Sequence, residues 1–254
     1  MNRFIDRHFG KIIYLLYFFC ELFVLKQGVG EGLFPPPGVG TDQLGMLTGA
    51  CTVLNGSLPE GGYQYSYFYT AFLALLMAVC RGHLVMMRVL QAAVAAWTPV
   101  LIYRSARLMK LGRSTAQIAA FFYFFYAPGL LISLDFLRAS LLGLAFICLV
   151  YFILLGWRSG GCGWFAAAGV TAAMCILGRE TFLVVVVAPL LFYWSPEVRK
   201  RLGWKTLACY GVGCVVPVLG VMVFNEVVYG SFQPIPNNVD IIMVMMRWET
   251  WERH

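Results

Sequence analysis

Ser140–Trp157, SLLGLAFICLVYFILLGW, is a run with no charged side chain. As an α-helix it would extend about 27 Å, close to the roughly 30 Å hydrocarbon core of a bilayer. A barrel strand would alternate apolar and polar residues, and this run does not. A helix also satisfies its backbone polar groups internally, as a lipid solvent requires. Outward from it, Ile12–Leu25, Leu84–Tyr103, Ala116–Leu134, Phe165–Leu177, Phe182–Trp194 and Thr206–Phe224 read the same way. Pro99, Pro128, Pro189 and Pro217 fall in or near these runs, which spanning helices tolerate when neighbours re-satisfy the freed backbone groups. The composition agrees: 254 residues, 60% hydrophobic and only 12% charged, against about 25% charged in a soluble domain. The expected fold is all-α and polytopic, with about seven transmembrane helices. Residues 1–240 would form one membrane module and 241–254 a short tail.

Tyr67–Cys80 is apolar but short, in the range of a re-entrant or interfacial segment. If it does not cross, the clusters Arg104–Arg113 and Arg199–Lys205 fall on the same side as Arg3, Arg7 and Lys11. Positive-inside bias favours that arrangement. The expectation is a multi-pass inner or plasma membrane protein with a cytoplasmic N-terminus and an extracytoplasmic first loop at 27–66. Met1–Gly10 is too polar for a signal peptide, and no small-residue cleavage site follows the next run, so the first span is retained. The net charge of +7 sits in short clusters between apolar runs, not on one basic face, so no nucleic-acid partner is expected. The eight cysteines form no CxxC pair, and His8, His83 and His254 match no zinc spacing.

The exceptions to this apolar background carry the chemistry. Lys26–Gly40 is an irregular Gly/Pro stretch, and no GK[ST] follows to make it a phosphate loop. Thr41–Asp42 then opens a short amphipathic helix with Leu44, Leu47, Cys51 and Leu54 on one face, suited to lie in the membrane interface. Asp42 is either an acid that satisfies first-turn N–H groups or a reactive carboxylate at the membrane face. Tyr63, Tyr65, Tyr67 and Tyr69 alternate after it, as an interfacial belt or as a wall for a substrate. Asp135 and Arg138 stand three apart in SLDFLRAS, and Arg179–Glu180 in GRET break the apolar pattern between Leu177 and Phe182. Each is either a paired charge near lipid or a functional group, since an ionisable residue at membrane depth costs about 2.5–3.5 kcal/mol on insertion scales. In the non-crossing topology all of them share one side.

The order of these segments resembles the N-terminal membrane module of the GT-C type membrane glycosyltransferases, nearest the protein-mannosyltransferase and aminoarabinose-transferase type. The resemblance rests on TDQLGMLTGACTVLNGSLP, YQYSYFYTAFLALL, YRSARLMKLGRS, FYAPGLLISLDFLRASLLGLAFICLVYFIL and NEVVYGSFQPIPNN. It implies Asp42 and Asp135 as the catalytic carboxylates, Arg138 and Arg179 at the donor phosphate, and Tyr63, Tyr65, Tyr67 and Glu180 lining the substrate. Gln43 and Ser66–Tyr67 stand where members often carry a second acid and a Pro-Pro pair. The resemblance requires no cofactor, and a divalent metal stays open. Family members are longer, so a truncated chain is one expectation.

The implied reaction is transfer of a sugar from a polyprenyl-phosphate donor to a hydroxyl of a lipid, glycan or protein acceptor, with inversion, on the extracytoplasmic face. The alternatives are a fragment of a lipid-linked substrate transporter or flippase, and a non-catalytic structural membrane subunit. A transporter would show repeat symmetry and discontinuous helices at mid-bilayer, and neither is visible in the sequence.

Overall fold

The computed structural model describes residues 2–32, 34, 42–58, 66–192, 194–230 and 232. Among them there are helices and no strands. In chain order these are α1 (Asn2–Gly30), α2 (Asp42–Leu54), α3 (Tyr67–Cys80), α4 (Leu84–Ala95), α5 (Trp97–Leu108), α6 (Arg113–Phe124), α7 (Ala127–Leu134), α8 (Arg138–Ser159) and α9 (Cys162–Gly178). A 3-10 turn (Glu180–Phe182), α10 (Leu183–Phe192), α11 (Pro196–Arg201) and α12 (Trp204–Tyr229) follow. His8–Gly30, Leu84–Leu108, Arg138–Ser159 and Trp204–Tyr229 are long and apolar enough to cross a bilayer. The pair α6 and α7, bent by 57°, makes a fifth candidate. The 17-residue α9 and 10-residue α10 are shorter.

Many large apolar side chains are exposed and several polar ones are buried, unlike in a soluble protein. Val212, Val215, Val216, Val223 and Val227 of α12 face outward, while Glu21, Arg88, Gln91, Ser133 and Asn225 are buried. A surface of that kind is stable only against lipid. Two breaks follow from local chemistry. Pro128 has no N–H to give and its ring displaces the carbonyl one turn back, which separates α6 from α7. The expected single run Ala116–Leu134 is therefore two helices. Pro99 acts likewise on the Ala95 carbonyl, and the chain turns at Ala96 between α4 and α5. At the end of α1 the helix continues to Gly30, where an irregular stretch was expected from Lys26. Gly28 permits this, because a Cβ there would lie 2.3 Å from the Phe34 ring that packs against the helix end.

Contacts fix the relative directions of several helices. The Phe9 and Tyr103 rings are 4.7 Å apart, Tyr14 Oη donates to the Ala93 carbonyl at 3.0 Å, and Arg88 Nη1 donates to the Phe34 carbonyl at 3.4 Å. Thus α1 and α4–α5 are antiparallel, and the end of α1 meets the start of α4. The segment between them, α3 included, leaves from and returns to one end of the bundle. The last turn of α9 and the last turns of α12 both touch the first turn of α3: Ser66 Oγ donates to the Leu177 carbonyl at 3.4 Å, and Tyr67 Oη donates to Asn225 Oδ1. So α9 and α12 run side by side in the same direction, and residues 179–203 carry the chain back between them.

The surface helix departs from its expected face. Met46, Leu47 and Ala50 of α2 are buried against Tyr69, Leu73 and Leu76 of α3. Cys51 and Leu54, expected on the apolar stripe with Leu44 and Leu47, are exposed. The reason is α3 itself, which offers a protein partner closer than lipid and seats its Thr70 methyl 3.4 Å from the Cβ position of Gly49.

Helices α9 and α12 meet backbone to backbone. A Cβ on Gly169 would lie 2.2 Å from the Tyr210 carbonyl oxygen, and one on Gly213 would lie 2.4 Å from that of Ala166. Small residues allow this approach, the usual device of helix pairs in membranes. Gly169→Ala or Gly213→Ala is expected to cost about 1–3 kcal/mol by overpacking, read as a lower thermal midpoint in detergent. Gly143→Ala, which meets open space within its helix, should leave the midpoint unchanged or higher.

Candidate functional site

The site lies where the end of α1, the start of α4, the end of α7 and the start of α8 converge. Arg88, one turn into α4, is 3% exposed. Its Nε donates to the Leu134 carbonyl at 3.2 Å and its Nη1 to that of Phe34. The guanidinium carbon is 4.8 Å from the Phe136 ring centroid and 5.4 Å from that of Phe34. Nη2 is buried without a hydrogen-bond partner among the described residues. A desolvated cation of this kind needs an anion, and Asp135 supplies it electrostatically.

One turn along α4, Gln91 Nε2 donates to the carbonyls of Ser133 (2.8 Å) and Asp135 (2.6 Å), while its Oε1 accepts from Tyr69 Oη at 3.0 Å. The backbone between α7 and α8 is thereby held from α4, and α4 from α3. Below it the Ser133 hydroxyl meets the carboxylate of Glu21, which is fully buried in α1.

Asp135 follows the last residue of α7 in an extended conformation, half-buried. Burial raises its carboxyl above the usual aspartate range, and the Arg88 charge and a hydrogen bond from the Gln43 side chain pull it partly back. Gln43 is the second residue of α2, beside Asp42, so the bond brings the start of the surface helix to Asp135. Asp42 is exposed in the first turn of α2. Three residues past Asp135, the half-buried Arg138 opens α8. Arg179 is exposed at the end of α9, next to Gly178, whose Cβ position is 2.2 Å from Leu142 in the second turn of α8. Asp42, Asp135, Arg138, Arg179 and Tyr67 therefore share one end of the bundle. Glu180 begins the 3-10 turn that follows. Tyr63 and Tyr65 lie outside the described residues, as does half of NEVVYGSFQPIPNN.

Sequence reading passed over Arg88, Gln91 and Glu21, which fall inside apolar runs. The available signal was Arg and Gln one turn apart in VMMRVLQAAV, a polar pair at membrane depth. Among the described residues no three His, Cys, Asp or Glu side chains gather as a metal cage.

The Alg9-like mannosyltransferase family model matches residues 59–240, well over half of the chain, and the chain belongs to that family. It is thus a GT-C type membrane glycosyltransferase by family. The match takes in Arg88, Asp135, Arg138 and Arg179; Asp42 lies before it. No curated protein and no solved structure matches.

Two measurements bear on the site. The folded protein keeps the proton of Asp135 to higher pH than the unfolded chain does. Stability should therefore fall as pH rises from the ordinary aspartate range to the raised one, and Asp135→Asn should remove that part of the slope in detergent unfolding. Gln91→Met should destabilise by about 1–3 kcal/mol, because the buried Tyr69 hydroxyl then loses its acceptor.

Proposed function

We propose that this member of the Alg9-like mannosyltransferase family transfers a sugar, mannose on the family's name, from a polyprenyl-phosphate donor to an acceptor hydroxyl. The transfer takes place at the end of the bundle that holds Asp42 and Asp135, outside the cytoplasm. In this reading the N-terminus is cytoplasmic and the chain crosses seven times, with α9 and α10 as the short crossings and α3 staying on the outer side. The observation that carries the reading is the Gln43 side chain bonded to Asp135, which brings the helix that Asp42 opens to the carboxylate beside Arg88.

Asp42 takes the proton of the acceptor hydroxyl as general base. The freed oxygen attacks the anomeric carbon from the face opposite the phosphate, the bond from that carbon to the phosphate oxygen breaks, and the configuration inverts. Polyprenyl phosphate leaves with one added negative charge, which Arg138 and Arg179 offset. Asp135, anchored by Arg88 and Gln43, orients the acceptor or donor sugar through its free carboxylate lone pairs. The acceptor is a glycan, lipid or protein hydroxyl. An apolar groove of 490 Å³ lined by Phe146, Leu149, Ile153, Trp157 and Leu202 supports a place for the polyprenyl tail. It begins about 12 Å along α8 from Arg138.

Asp42→Asn is expected to lower transfer of labelled mannose from a polyprenyl-phosphate donor by at least a hundredfold, with insertion and thermal midpoint unchanged. Turnover at the wild-type rate would remove Asp42 from the base role. Gln43→Ala takes away a hydrogen bond that stabilises charged Asp135. The acidic limb of the pH–rate profile should then move to higher pH.

A further inference from the structure

The opposite end of the bundle, about 30 Å along α8 from Arg138, holds a polar cavity. This pocket of 520 Å³ lies between the ends of α5 and α8. Tyr103, Arg104, Arg107, Lys110, Tyr151 and Arg158 line it, and among the described residues no carboxylate does. Four cations around one cavity repel one another, and an anion within it relieves all of them together.

The backbone points the same way. Lys110 has φ 61°, in the left-handed region where glycine ordinarily ends a helix. Leu111 N donates to the Ala106 carbonyl at 3.2 Å, closing α5 through that strained residue. A glycine would make the same turn at less cost, so the turn by itself does not account for a lysine there. Arg107 Nη1 donates to the Leu111 carbonyl at 2.9 Å, which fixes its guanidinium beside the same turn. Leu108 completes the lining, and Leu154 and Leu155 of α8 lie half-buried between Tyr151 and Arg158. The cations thus border apolar helix surface.

We propose that this pocket binds the phosphate headgroup of an anionic phospholipid, with its acyl chains along α8. Basic pockets between membrane helices recognise such headgroups through charge and N–H donors, and two phenols add further donors here. The site is separate from Asp42 and Asp135 and does not depend on the transferase reading.

The test uses the purified full chain in a non-ionic detergent, titrated with phosphatidylglycerol, phosphatidylcholine or inorganic phosphate. Bound lipid is read by native mass spectrometry and the thermal midpoint is read alongside. Phosphatidylglycerol is expected to bind at least tenfold more tightly than phosphatidylcholine and to raise the midpoint. Arg158→Gln and Lys110→Gly should each weaken it about fivefold. Lys110→Gly also relieves the left-handed strain, so its lipid-free midpoint should stay level or rise, which separates lost binding from lost folding. Lys200→Gln, on α11 and outside the pocket, should bind as the wild type does. Equal binding of phosphatidylcholine, or equal weakening by Lys200→Gln, would overturn the proposal in favour of diffuse charge. Displacement of the lipid by millimolar inorganic phosphate would overturn it in favour of a free anion.

Discussion

A buried guanidinium is the constraint around which this bundle is arranged. Arg88 cannot reach water, so its Nε and Nη1 are met by main-chain oxygens from two distant parts of the chain, Leu134 and Phe34, and its charge by Asp135. Phe34 follows α1, while Leu134 and Asp135 stand together at the end of α7, so satisfying the cation fixes the end of α1 against the end of α7. Removing one partner of such a cluster typically costs about 3–5 kcal/mol, because the rest is left buried and uncompensated. Gln91 repeats the pattern one turn along α4, with carbonyls of the same connector as its acceptors. Polar bonds thus do in the membrane part of what apolar burial does in water, since lipid gives helices little hydrophobic reason to associate.

That cluster also explains how the Asp135 carboxylate is held in place. Asp135 sits on extended backbone between two helices, where a connector free to move would place it poorly. Bonds from Arg88 and Gln91 to the backbone on either side leave the carboxylate itself to face Gln43 and the start of α2. Proper orientation of reacting groups accounts for a large share of catalytic power. The two ends of the molecule then differ in character: mixed charge around Asp135 at one, cations and phenols at the other.

Fold class was legible because lipid imposes it on composition and run length, as Ser140–Trp157 shows. Asp42 as the start of a helix and Asp135 between two helices were legible too, since each interrupts an apolar pattern. The exposed side of α2 was not. A stripe of Leu44, Leu47, Cys51 and Leu54 tells that a helix is amphipathic, but not whether lipid or α3 will cover it. Arg88 was hidden for another reason: its hydrogen-bond partners are carbonyls, which every residue has and which leave no mark in a sequence. Pro128 was visible, yet a proline does not say whether neighbours will repair a helix or let it bend. Here it bends.

The glycine contact between α9 and α12 has a bearing on biogenesis. Two neighbours that point the same way cannot form a hairpin, so α9 leaves the ribosome before the surface it fits exists. Its Gly169 face stays open while residues 179–203 are synthesised and threaded back. The seam closes only when Gly213 arrives, so the pairing of α9 waits on the synthesis of α12.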